Sequence, residues 1–168
     1  MPSTVFLEVD PEDAHLVASR FPDAFVHGGI LSGDALVSAC KDAAVLSCFI
    51  HTQFSKDIIN KLPKLKLLST RSVGFDHIDT DACAARGITV CNVPDYGSHV
   101  IAEHVFALLL STLRHIPEAD KKVEGGTFDY HGLRGMALRG KTIGIVGTGK
   151  IGKNVAKIAR GFGMNILA

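Results

Sequence analysis

The sequence predicts an α/β protein: an open parallel sheet over residues 1–98, then a long helix and the opening βα of a second parallel unit over 99–168. Three observations carry this. Short apolar runs alternate with segments of helical spacing along the first unit. No Asn-Gly or Asp-Gly turn separates the runs, so crossovers connect the strands, and crossovers build parallel sheets with helices on both faces. Near the end, a glycine triplet follows an apolar run and opens an amphipathic helix.

The elements follow in order. TVFLEVD (4–10) predicts a buried strand, and PEDAHLVASRF a helix with acids in its first turn. AFVHGG (24–29) predicts a strand ended by two glycines, SGDALVSACKDA a helix, and AVLSCFIH (44–51) a strand. SKDIINKLP is a helix closed before Pro63, and LKLLSTRSVG a strand entering a loop. In DTDACAARG, Asp79 is the N-cap and Gly87 the stop. GITVCNV is the fifth strand. VIAEHVFALLLSTLRHI (100–116) predicts one long helix, apolar around more than one face and hence buried on several sides. PEADKKVEGGTFDYHGLRGMALRG reads as a helix end and a surface connection, and KTIGIVGTG restarts the pattern with a strand. NILA begins another.

Composition excludes several classes. Apolar residues make up 46% and charged residues 21%, so a core is available and disorder is not indicated. A net charge of +1 gives no basic stripe for nucleic acid or anionic membrane. The longest apolar run, VFALLL at 105–110, is far short of a membrane span. The N-terminus lacks the pattern of a secretory signal. The four cysteines, at 40, 48, 83 and 91, have neither CxxC nor zinc-ligand spacing. They predict buried or half-buried free thiols in a reducing, cytoplasmic setting, and no metal site is expected.

Two loops carry candidate chemistry. In TIGIVGTGKIG, Gly147 allows a tight turn, Gly149 lets backbone approach a pyrophosphate, and Gly152 lets the new helix pack on the strand. The N–H groups of Lys150 and Ile151 then face the phosphates, and Lys150 adds positive charge. The other reading is a structural βα turn without ligand. This loop is not a Walker loop, because four spacers after Gly147 it lacks Gly-Lys-Ser/Thr. The acidic residue that grips the adenosine ribose belongs ~20 positions further on, and no acid follows Gly152. The second loop, RSVGFDHID (71–79), ends a strand of the first unit, where open α/β sheets collect ligands. Ser72, Val73 and Gly74 offer successive N–H groups to an anion, with Arg71 and His77 as charged helpers. Alternatively it is an ordinary turn, with Asp76 and Asp79 capping backbone.

RSVGFDHID, NVPDYGSHVIAEHVFALLL and GKTIGIVGTGKIG, in that order, resemble the D-isomer-specific 2-hydroxyacid dehydrogenases, with the lactate-type members the nearest flavour. The resemblance covers the chain from about residue 44. It implies a flavodoxin-like substrate domain followed by the start of a Rossmann NAD-binding domain, with the 99–116 helix crossing between them and helping to form a homodimer. It implies that the Val73 and Gly74 amides hold the substrate carboxylate and that Tyr96 lines the substrate pocket. Lys150 and Ile151 amides meet the NAD pyrophosphate. Gly97-Ser98 replaces the family's frequent Ser-Pro, and RGMAL lacks its frequent glutamate.

In the family, the catalytic arginine, glutamate and histidine lie downstream of everything matched here, as does the segment that completes the first domain. The expectation is therefore an N-terminal half: an NAD-dependent oxidoreductase of small D-2-hydroxy or 2-keto acids, with binding residues only and inactive by itself. His77 and His99 do not match the catalytic position. The alternatives are a non-catalytic NAD-binding, dimerisation or corepressor-like module, and a phosphoglycerate- or glyoxylate-type dehydrogenase.

Overall fold

The apolar runs become strands of three or four residues. The computed structural model describes residues 3–168; Met1 and Pro2, included above in the 1–98 unit, lie outside them. The chain divides into two compact units, one running through Tyr96 and the other from Gly97 to Ala168.

The first unit alternates β1 (Thr4–Leu7), α1 (Pro11–Arg20), β2 (Phe25–His27), α2 (Gly33–Cys40), β3 (Val45–Cys48), α3 (Lys56–Asn60), β4 (Leu67–Thr70), α4 (Thr80–Ala85) and β5 (Thr89–Cys91). All pairings are parallel, and the strand order is β2-β1-β3-β4-β5. This is the flavodoxin-like order, which reverses direction between β1 and β3. Right-handed crossovers put α1 on one face and α2, α3 and α4 on the other.

The faces are unequal. Val5, Leu46 and Leu68 lie side by side in register and are buried with Leu36 and Cys40 of α2, Ile59 of α3 and Ala82 and Cys83 of α4. Full burial of a leucine such as Leu36 stabilises by roughly 1.5–3 kcal/mol. The opposite face carries Phe6, Ser47 and Ser69, and α1 buries no side chain. Its hold on the sheet includes a tilted Phe6–Phe21 ring contact at 5.0 Å.

Several elements are shorter than the sequence predicts. β1 stops at Leu7 because Glu8 adopts φ 55, a left-handed conformation that breaks the ladder. The predicted 44–51 strand keeps only Val45–Cys48. Asp79 caps α4 as expected, accepting a hydrogen bond from the Ala82 N–H at 2.9 Å. Arg86, at the end of α4, donates to the carbonyls of Ile59 and Leu62 and ties α3 to α4.

The second unit holds α5 (Ser98–Leu113), α6 (Ile116–Glu124), β6 (Thr142–Gly144), α7 (Lys150–Gly161) and β7 (Asn165–Leu167). The helix predicted over 100–116 ends at Leu113, His115 at φ 51 turns the chain, and a second helix, α6, follows with Pro117 in its first turn. The stretch read as a helix end is thus a helix of its own. α5 is not buried on several sides within this chain: Ala102 and Phe106 pack with Val155 and Ala159 of α7, while Val100, Ile101 and Leu108 stay exposed. The stacked rings of Phe106 and Phe162, 5.3 Å apart, extend this seam. β6 and β7 pair in parallel around α7, a single βαβ unit.

Candidate functional site

Each unit presents one ligand-competent loop. In the first unit it follows β4. The carbonyls of Ser72, Val73 and Gly74 are satisfied inside the protein. Ser72 O accepts from the Val93 N–H at 2.9 Å, Val73 O from Asn92 Nδ2 at 2.8 Å, and Gly74 O from the Ser72 hydroxyl at 2.7 Å. The Ser72 hydroxyl also meets Thr70 Oγ1 at 2.6 Å. Among the described residues, no acceptor meets the Val73 or Gly74 N–H. A loop with its acceptors tied down and its donors open is complementary to an anion. Gly74, Asp76 and His77 border a 330 Å³ cavity whose other wall is Ile50 and Gln53.

The two charged helpers expected here act differently. Arg71 turns away from the loop: Nη1 donates to Ser47 Oγ at 3.0 Å, and Nη2 to the carbonyls of Leu7 at 2.8 Å and Glu8 at 2.7 Å. Its charge is held by the end of β1. His77 is buried, with Nε2 at 3.8 Å from Cys48 Sγ. Burial holds its imidazole below the ordinary histidine value, and burial pushes the Cys48 thiol up to about 12, so this is a neutral pair. Tyr96 lies beyond β5, more than half exposed, and is not among the residues lining the cavity. His99 is exposed on α5.

Glu8 is not among the residues singled out from the sequence. Its carboxylate accepts from the His51 N–H at 2.9 Å and the Thr52 N–H at 3.0 Å, fixing the loop after β3. Burial pushes this carboxyl up, yet the hydrogen bonds from Thr52 and His51 prevail and hold it below its ordinary value. A charged residue inside an otherwise apolar strand pattern is the one signal that marks it.

In the second unit, the glycine loop joins β6 to α7. Gly147 has φ 101, closed to most side chains. Gly149 is the N-cap of α7, with no side-chain cap and open space where a Cβ would stand. At Gly152 a Cβ would overlap the Gly147 carbonyl and stand 3.3 Å from Ile145 Cγ2. So Gly152 serves close helix–strand packing, Gly147 the turn, and Gly149 leaves room at a helix N-terminus. Lys150 and Ile151 form the first turn of α7, where N–H groups point along the axis toward that room. These features suit a diphosphate.

Among the described residues, no group of three His, Cys, Asp or Glu could hold a metal, and no helix is long and apolar enough to cross a membrane. Cys40, Cys48 and Cys83 are buried free thiols; Cys91, expected to be at least half-buried, is exposed because β5 is an edge strand.

Comparison with known proteins agrees with this layout. The chain is 39% identical over 163 residues to the D-3-phosphoglycerate dehydrogenase of Methanocaldococcus jannaschii, covering 96% of this chain and 31% of that protein. It is 38% identical over 141 residues to the glyoxylate reductase of Pyrococcus furiosus, covering 80% of this chain and 42% of the relative. A crystal structure of D-lactate dehydrogenase from Aquifex aeolicus, complexed with NAD and lactic acid, superposes with a TM-score of 0.89 at 32% identity, over 97% of this chain and 50% of that one. The chain thus spans half or less of each of these proteins. The sequence model of the D-isomer specific 2-hydroxyacid dehydrogenase catalytic domain matches residues 4–161, running through both units and both loops, and the chain belongs to that family.

Proposed function

We propose that this chain carries the acid grip and the cofactor grip of an NAD-dependent dehydrogenase acting on a small D-2-hydroxy or 2-keto acid of the lactate–pyruvate kind. The observation that carries this reading is the polarity of the 72–74 loop, with its carbonyls tied and the Val73 and Gly74 N–H groups open beside a cavity. The substrate carboxylate binds those two amides, and Tyr96 borders the same ligand. Gly147, Gly149 and Gly152 shape the pyrophosphate site, and the Lys150 and Ile151 amides bind it. NAD, when bound, exchanges hydride with the substrate carbon; the residues described here orient and hold. No histidine of this chain is assigned the proton exchange, since His77 is buried against Cys48. The first unit is then the substrate domain and the second the start of the NAD domain. The exposed Val100, Ile101 and Leu108 of α5 support a homodimer through the 99–116 helix. Four free thiols fit a reducing, cytoplasmic setting.

A phosphoglycerate- or glyoxylate-type substrate is the second reading, favoured by the names of the relatives at 39% and 38% identity. Titration of ¹⁵N-labelled protein with NADH, then with pyruvate, glyoxylate or 3-phosphohydroxypyruvate, tests both. The expected result is saturable shifts at Gly149 and Ile151 with NADH and at Val73 and Gly74 with pyruvate. Stronger response to either other acid selects the second reading, and unmoved amides at both loops refute the proposal.

A further inference from the structure

The cavity beside Gly74 has two walls, and both are fastened to one residue. Arg71 roots the 72–76 wall: its N–H donates to Cys48 O at 2.9 Å, and its guanidinium grips the carbonyl of Glu8 at 2.7 Å and that of Leu7 at 2.8 Å. Glu8, reversed at φ 55, sends its carboxylate to the opposite wall and accepts from the His51 and Thr52 N–H groups. That wall contributes Ile50 and Gln53 to the cavity. Glu8 is one of only two non-glycine residues at positive φ among those described. This conformation is unfavourable for a residue with a side chain, and it is what lets one residue serve both walls.

We propose that Glu8 and Arg71 are positioning residues that set the spacing between the 50–53 and 72–76 loops, and so the placement of the Val73 and Gly74 amides. The inference rests on the acid-grip reading above. Neither residue is needed to touch the ligand. Arg71 donates to three protein acceptors and Glu8 accepts two backbone N–H groups. A lysine replaces one of the arginine's contacts but not the fork. A glutamine at 8 retains a single acceptor oxygen for two donors.

The test is pyruvate titration of the ¹⁵N-labelled protein, with wild type beside Glu8→Gln, Arg71→Lys and Leu36→Val. Leu36→Val lowers stability from α2 without touching either loop. The brace predicts displaced Val73 and Gly74 resonances in the free Glu8→Gln and Arg71→Lys proteins. It also predicts pyruvate affinity about ten- to a hundredfold weaker, as for a misdirected hydrogen bond to a charged group. Leu36→Val is expected to bind like wild type. Wild-type binding with Glu8→Gln and Arg71→Lys within threefold of it overturns the brace and leaves the acid grip standing. Equal weakening in Leu36→Val also overturns it, since the effect is then general destabilisation. A wild type that does not respond to pyruvate, glyoxylate or 3-phosphohydroxypyruvate overturns the acid grip and the brace with it.

Discussion

Replacing Gly152 by alanine separates packing from ligand binding in the glycine loop. A Cβ at this position overlaps the Gly147 carbonyl oxygen, stands 3.1 Å from the Gly147 carbonyl carbon and 3.3 Å from Ile145 Cγ2. The obstacle is backbone, and Gly147 already sits at φ 101, so the loop has little freedom to retreat. α7 must lift from β6, opening the seam that Val155 and Ala159 make with Ala102 and Phe106. Overpacking of this kind costs about 1–3 kcal/mol. For a unit of this size that is a fall in Tm of roughly 5–20 °C. NADH affinity should drop at least about tenfold, because the displaced turn no longer aims its amides. Gly149→Ala is the control. Nothing lies within 4 Å of its Cβ position, so the fold is retained at a cost under about 1 kcal/mol, while the new methyl occupies the ligand's room. Calorimetric melting and NADH titration of both variants check this. A Gly152→Ala protein with wild-type Tm and wild-type NADH affinity would refute the packing argument.

Further expectations concern the first unit. Gly74→Ala leaves stability within about 0.5 kcal/mol, since Asp76 Oδ2 at 3.7 Å is the nearest atom to the new methyl, yet it weakens pyruvate binding; melting and titration report the two separately. The folded state holds the Glu8 carboxyl below its ordinary value, so the unfolded chain takes up that proton first. Its stabilisation is complete above the ordinary carboxylate range and is lost as pH falls through the lowered folded value. Urea melts across that range should lose this component in Glu8→Gln. Iodoacetamide should label Cys91 quickly in the native protein, while Cys40 and Cys48, with thiols pushed up to about 11 and about 12 by burial, react only after denaturation; mass spectrometry counts the adducts.

Much of this architecture is legible in the sequence, for a physical reason. Apolar runs and helical spacing are local, and they locate every strand and all helices but one. The break at His115 escapes such reading because no glycine or proline marks the turn itself; proline follows only at 117. The glycine loop is legible because its steric demands fall on adjacent residues. The fate of Arg71 is not. Two of its acceptors, the carbonyls of Leu7 and Glu8, lie at the end of β1, more than sixty positions earlier, and become neighbours only because β1, β3 and β4 lie side by side in the sheet. A residue read as a charge for the ligand is therefore a strut of the frame. Glu8 is hidden likewise, since its left-handed backbone has no signature in an apolar run.

The open amides of the 72–74 loop have one more consequence. A binding site built from lysine or histidine changes its charge with the medium, whereas a peptide N–H does not titrate in water at any pH a protein survives. Arg71 is engaged by the end of β1 and burial holds the His77 imidazole below its ordinary value, so what the loop itself offers an anion is the fixed dipoles of its amides, with the Asp76 carboxylate bordering the same cavity. Those dipoles themselves are the same in mildly acidic and mildly alkaline solution. Under the proposed function, the proton that accompanies oxidation of the substrate alcohol is handled elsewhere without disturbing the grip.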